Sequence, residues 1–219
     1  MIRSQCRCRI LVWLGIIAPL VWGIATTSAA QTVRPIAART ILVVGDSISA
    51  EYGLPRDTGW VKLLRDRLQE QHKDYSVVNA SISGDTSAGG AERLPELLRK
   101  FSPNVVIIEL GGNDGLRGLQ LSTFEANLRS LIQMSQAAHA QVLLVGMQLP
   151  PNYGRDFTTR FADLYPALAK QYHTALVPFF FAGFADQLDL FQADRIHPTQ
   201  AAQPRLLANV WPYLAPLVP

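Results

Sequence analysis

The chain has 219 residues and a formal net charge of +3, but the excess of base is not spread along it. Arg3, Arg7 and Arg9 stand among the first 30 residues with no acid beside them. The remainder is therefore formally neutral, and the basic balance is no argument for a nucleic-acid or anionic-membrane partner. Both cysteines, Cys6 and Cys8, lie in the same stretch, so the rest of the chain has no disulfide, thiol nucleophile or cysteine metal site.

The first 30 residues read as a secretory leader. The three arginines precede an apolar run over 10–24, which Pro19 interrupts, and small residues follow up to Ala30. A membrane anchor is the alternative, but the run is short for a span of about 20 residues and ends in a cleavage-like site. The expectation is an exported protein, cut after Ala30, in the bacterial periplasm or beyond it. Residues 31–219 then have the size of one domain with its own core.

Along that domain, apolar runs alternate with amphipathic stretches. Strands are expected at 40–44, 76–79, 105–110, 142–147 and 175–177. Helices are expected at 59–71, 90–100, 123–139, 157–172 and 201–214. Ser122 and Glu125 have the spacing of a capping box, and Pro166 predicts a kink or two short helices. Strict β/α alternation with continuous apolar strands implies a parallel sheet covered on both faces, a three-layer α/β/α domain.

Polar and Gly-rich segments fall at the carboxyl ends of these strands, which gather at one edge of such a fold. Asp46-Ser47 follows the first strand and Ser83-Gly84-Asp85 the second. Gly111-Gly112-Asn113-Asp114 follows the third, Leu149-Pro150 the fourth, and Asp194-Arg195-Ile196-His197 comes after the fifth. Separate stretches of sequence thus converge on one place, as an active site requires.

A serine hydroxyl is a weak nucleophile until a base takes its proton. His72, His139 and His173 each end an expected helix, where a cation suits the helix dipole. His197 differs. It has a carboxylate three residues earlier, and a short turn brings Asp194 to one ring nitrogen and leaves the other for Ser47. By itself that spacing equally describes a solvated turn; beside a serine on the first strand it describes a triad. The oxyanion formed on attack needs donors already aimed at it. The Ser47 N–H, the Gly84 N–H and the Asn113 amide are candidates, although Gly and Asn are also ordinary turn residues. Asp46 and Asp114 read as turn stabilisers rather than as a carboxylate pair. The chain has no G-x-S-x-G elbow, no phosphate-binding glycine loop and no histidine spacing that suits a metal.

Gly45-Asp46-Ser47-Ile48 resembles the first block of the GDSL, or SGNH, hydrolases, with Ile48 in place of the usual Leu. Gly84 resembles the second block, Gly111-Gly112-Asn113-Asp114 the third, and Asp194-x-x-His197 the fifth. The strings around Val78–Ser87, Glu109–Gly118 and Leu149–Gly154 are similar to a bacterial periplasmic group of multifunctional thioesterases, lysophospholipases and arylesterases. The resemblance implies a flavodoxin-like fold with about five parallel strands. It implies Ser47 as nucleophile, His197 as base and Asp194 as its orienter, with Ser47, Gly84 and Asn113 forming the oxyanion hole. It implies Leu116, Leu149 and Pro150 at the substrate, a loop over 115–120 that moves above the acyl site, and chemistry without a metal or cofactor. The partners implied are small acyl esters or thioesters, with transient lipid contact and a monomeric state.

The segment between Phe179 and Ala193 departs most from that group, and Phe179, Phe180, Phe181 and Phe184 are either core or a wall of the acyl pocket, with core the default. Arg117, Arg155, Arg160 and Arg195 read as solvated surface charge rather than as contacts to phosphate. Two rival functions remain at this level. One is a carbohydrate acetylesterase, which the same triad serves; the other is a lipid carrier that holds a fatty acid without chemistry.

Overall fold

A computed structural model describes residues 39–219, so the leader expected at 1–30 lies outside the described residues. Five strands form one parallel sheet: β1 (Arg39–Gly45), β2 (Tyr75–Asn79), β3 (Val105–Glu109), β4 (Gln141–Val145) and β5 (Ala175–Val177). Their order is β2-β1-β3-β4-β5. The central strands explain the continuous apolar runs. Ile41 to Val44 and Val105 to Ile108 are wholly buried because both faces of the sheet are covered. Each such side chain contributes roughly 1.5–3 kcal/mol by leaving water. The edge strand β2 is only half-buried.

The helices divide between the two faces. α1 (Trp60–Glu70) packs with α6 (Gln203–Leu214). α2 (Ser87–Phe101) packs with α4 (Leu121–Ala137), and α4 with α5 (Arg155–Tyr172). α5 and α6 each touch β4 and β5, α5 in company with α4 and α6 with α1. The described residues thus make the expected α/β/α sandwich. The strand order reverses between β1 and β3, and ligands of such sheets sit in the crevice at that point. Ser47 follows one of these strands and Asn113 follows the other.

Three local expectations are corrected. The capping box at Ser122 does not open α4: the helix begins at Leu121, and the Gln120 carbonyl accepts from the N–H groups of Thr123 and Phe124, both at 3.0 Å. Glu125 lies one turn before Arg129 and pairs with it instead. Of the kink or division expected at Pro166, the division is absent, and α5 runs as one helix. Proline costs a helix interior about 3 kcal/mol, and the buried face of Phe161, Tyr165 and Leu168 offsets it. The segment 115–120 is not wholly loop, because α3 (Gly112–Leu116) forms a short helical turn through its start.

Candidate active site

The turn after β1 is held by the core below it. Gly45 is required there: a Cβ at that position would come 2.6 Å from Glu109 Oε2 and 2.9 Å from Ser49 Oγ. Through that gap the Glu109 carboxyl accepts from the Ser49 hydroxyl at 2.6 Å and from the Asp46 N–H at 3.3 Å. Trp60 Nε1 donates to Ser49 Oγ at 3.1 Å, and Asn79 Nδ2 donates to the Ser49 carbonyl at 2.7 Å. Asp46 Oδ1 accepts from the Ile48 N–H at 3.0 Å and closes the turn on itself. Ser47, buried except for a small fraction, stands at the tip.

Two buried carboxyls therefore lie behind the serine. Burial pushes Glu109 well above the usual carboxylate range, and the neighbouring charge of Asp46 adds to the shift. Burial also raises Asp46, to about 6, against the lowering effect of its bonds to Ile48 and Asn113 and of nearby His197.

His197 arrives from the far end of the sequence. Its Nε2 lies 2.8 Å from Ser47 Oγ and its Nδ1 2.7 Å from Asp194 Oδ2. With Nδ1 protonated toward Asp194, Nε2 is free to accept the serine proton. Asp194 Oδ1 accepts from the N–H groups of Ile196 at 2.9 Å and His197 at 3.0 Å, so the carboxylate organises its own turn. Partial burial pushes Asp194 up, but those two N–H groups and the His197 ring together bring it below the ordinary carboxylate value.

The donors expected for an oxyanion meet at the same edge. Gly84 has φ +80°, a conformation that suits glycine, and its N–H and that of Ser47 have no backbone acceptor among the described residues. Arg117 Nη2 donates to the Gly84 carbonyl at 3.0 Å. Asn113 Nδ2 lies 3.1 Å from Asp46 Oδ2 and 3.0 Å from the Asp85 carbonyl, which ties the β1, β2 and β3 loops to one another. Beside Ser47 opens a cavity of about 510 Å³. Leu116, Leu149 and Pro150 line it, as do Asn113 and His197.

The sequence from 43 to 204 matches the GDSL-like Lipase/Acylhydrolase family. The chain is 58% identical over 182 residues to esterase TesA of Pseudomonas aeruginosa, which covers 83% of this chain and 90% of the relative. It is 46% identical over 187 residues to thioesterase 1/protease 1/lysophospholipase L1 of Escherichia coli, which covers 85% of this chain and 88% of the relative. A crystal structure of TesA superposes with a TM-score of 0.80 at 57% identity, over 82% of this chain and 99% of the other. The chain belongs to the GDSL-like lipase/acylhydrolase family. Its class of chemistry is the hydrolysis of acyl esters and thioesters.

Other residues of the hydrolase take their places around this centre. Asp114 does not pair with Asp46. It accepts from the Ser87 N–H at 2.9 Å and the Ser87 hydroxyl at 2.5 Å and so fixes the start of α2. His72, His139 and His173 each stand at a helix end with positive φ, between 52° and 61°, away from the site. The phenylalanine segment divides. Phe180 and Phe184 are wholly buried, whereas Phe179 and Phe181 line the cavity together with Phe191. Arg160 pairs with Asp156 on the surface, while Arg195 lines the cavity.

Three contributors escaped the sequence reading. Glu109 stood inside the apolar strand expected at 105–110, and a carboxyl in a strand covered on both faces was its signal. Tyr52 rests on His197, with ring centroids 4.5 Å apart. Gln192 ties the loop of His197 to the turn after β1: its Nε2 donates to the Tyr52 carbonyl and its N–H to the His197 carbonyl, both at 2.8 Å. Neither Tyr52 nor Gln192 belongs to a recognisable motif.

Proposed function

We propose that this hydrolase works through a covalent acyl-enzyme formed on Ser47. The observation that supports it best is the unbroken line from Asp194 through His197 to Ser47, with successive contacts of 2.7 and 2.8 Å. His197 takes the serine proton as Ser47 attacks the acyl carbonyl. The oxyanion is received by the N–H groups of Ser47 and Gly84 and by the Asn113 amide, which gives up one of its two resting acceptors to do so. His197 then protonates the leaving group, and water repeats the sequence in reverse roles to release the acid. Asp194 holds the imidazole in its tautomer throughout.

The substrates we assign are aryl esters, acyl thioesters and lysophospholipids, and the apolar lining at Leu116, Leu149 and Pro150 supports an acyl chain. We further propose that residues 1–30 are a leader removed on export, that the protein acts in the periplasm, and that it works as a monomer which touches lipid transiently. Turnover of a medium-chain p-nitrophenyl ester tests the mechanism. Ser47→Ala is expected to lower kcat by on the order of 10⁴–10⁶; near-wild-type turnover would remove Ser47 from the role. Asn113→Ala is expected to cost about 10²–10³ with the fold intact, and an unchanged rate would remove the amide from the oxyanion hole.

A further inference from the structure

Two of the three proposed oxyanion donors depend on one short loop. Gly84 lies between the end of β2 and the start of α2, at φ +80°, and has no side chain with which to fix its own peptide. Asn113 comes from the end of β3, but one of the two acceptors of its amide is the Asp85 carbonyl, at 3.0 Å. The direction of the Gly84 N–H and the position of the Asn113 amide both depend on where residues 80–85 lie.

Arg93 holds that loop at both ends. Its Nη1 donates to the Ala80 carbonyl, and its Nε donates to Asp85 Oδ2 at 2.8 Å. The first contact falls four residues before Gly84 and the second one residue after it. The planar fork of a guanidinium fixes the distance between its two partners, which a single ammonium cannot do. The Arg93 and Asp85 side chains are only 20% and 10% exposed, so solvent screens their attraction little. The arginine is itself well anchored, because it projects from α2, whose Gly90, Leu94 and Leu98 are buried. Asp85 is organised from the same side: its Oδ1 accepts from the Thr86 N–H at 3.0 Å, at the positive end of the α2 dipole. Neither Arg93 nor Asp85 lines the cavity beside Ser47.

We propose that Arg93 is a positioning residue of the oxyanion hole. By holding Ala80 and Asp85 a fixed distance apart, it aims the Gly84 N–H and seats the Asn113 amide. The proposal rests on the oxyanion hole assigned above, and Arg93 acts through the loop rather than on the substrate. Its effect falls on the transition state, where the donors must already be in place. A misplacement of about 1 Å costs up to about 10²-fold in rate.

Arg93→Met keeps the stem of the side chain and removes both donors. It is expected to lower kcat for a medium-chain p-nitrophenyl ester by about 10- to 100-fold. The value of kcat/KM should fall alike, as loss of an interaction made only in the transition state requires. Active sites are counted by fluorophosphonate uptake, so that only folded protein enters the rate. Arg93→Lys restores the charge but not the fork and is expected to keep most of the loss. Asp85→Asn keeps the size of the loop and its carbonyl; it should lower kcat in the same sense and add little to Arg93→Met.

The deciding measurement is the double variant with Asn113→Ala. The factor that Arg93→Met costs is expected to shrink by at least about threefold once Asn113 is gone, because part of what the arginine positions is then missing. An equal factor in the two backgrounds would show support of the fold alone and overturns the proposal. Full activity in Arg93→Lys, or a change confined to KM in Arg93→Met, overturns it as well. Failure of the oxyanion hole itself is read separately, as an unchanged rate in Asn113→Ala alone.

Discussion

Ser47 and His197, the proposed nucleophile and base, are held in opposite ways. Ser47 sits on a buried turn fixed by groups from β2, β3 and α1, as Asn79, Glu109 and Trp60 hold Asp46 and Ser49 on either side of it. His197 sits on a loop whose organising bonds come mainly from Asp194 three residues away, and its long ties run only to the turn after β1, from His197 to Ser47 and Tyr52 and from Gln192 to Tyr52. One arrangement draws its order from the core, and the other is largely self-contained. Damage near Ser47 should therefore cost both stability and activity, whereas damage near His197 should cost activity alone.

The sharpest form of that contrast is His197→Ala. It is expected to lower kcat by on the order of 10⁴–10⁶ while moving Tm by no more than about 2 °C, since few buried contacts are lost. A large fall in Tm would show that the base loop is part of the core's support. Glu109→Ala should behave in the opposite sense. It leaves the Ser49 hydroxyl and the Asp46 N–H without their buried acceptor and opens a cavity, at a cost of about 2–4 kcal/mol. For a domain of this size that is roughly 5–15 °C in Tm. Glu109→Gln, which keeps the shape, should cost less; equal losses in the two variants would remove the carboxyl from its bracing role.

The smallest effect is in pH dependence. The Asp46 carboxyl is raised by burial from its ordinary value to about 6, so the folded state keeps a proton that the unfolded chain loses near pH 4. This contribution to stability is fully present below about pH 4, falls as pH rises from there to about 6, and is constant above that. Asp46→Asn should flatten that part of the curve of denaturation midpoint against pH. Asp194 acts in the other direction and in another window, because its lowered value contributes stability that is lost only as pH falls below the usual carboxylate range. An unchanged slope in Asp46→Asn would show that other groups carry the dependence.

The same contrast decides how much the sequence revealed. The meeting of Ser47, His197 and Asp194 was legible because each lies beyond an apolar strand in a pattern that the proposed chemistry constrains, and the five strands announced themselves as apolar runs. What holds these residues was far less legible. Glu109 looked like one more residue of a strand, and its pairing with Ser49 spans 60 residues. The divided fate of Phe179, Phe180, Phe181 and Phe184 follows from an irregular segment with neither helical nor strand period, so spacing gave no sign of which ring faced the cavity. The capping-box reading at Ser122 failed because the helix starts two residues earlier than the side-chain spacing suggests. Local rules found the chemical groups; long-range packing supplied their support and stayed hidden.

The measurement that bears most directly on the account is covalent labelling with an alkyl fluorophosphonate, followed by intact mass and peptide mapping. The wild-type protein is predicted to take up one phosphonyl group, on the peptide that contains Ser47, with activity lost in proportion. Ser47→Ala is predicted to remain unlabelled. Label on a different residue, or full activity in protein modified at Ser47, would contradict the mechanism.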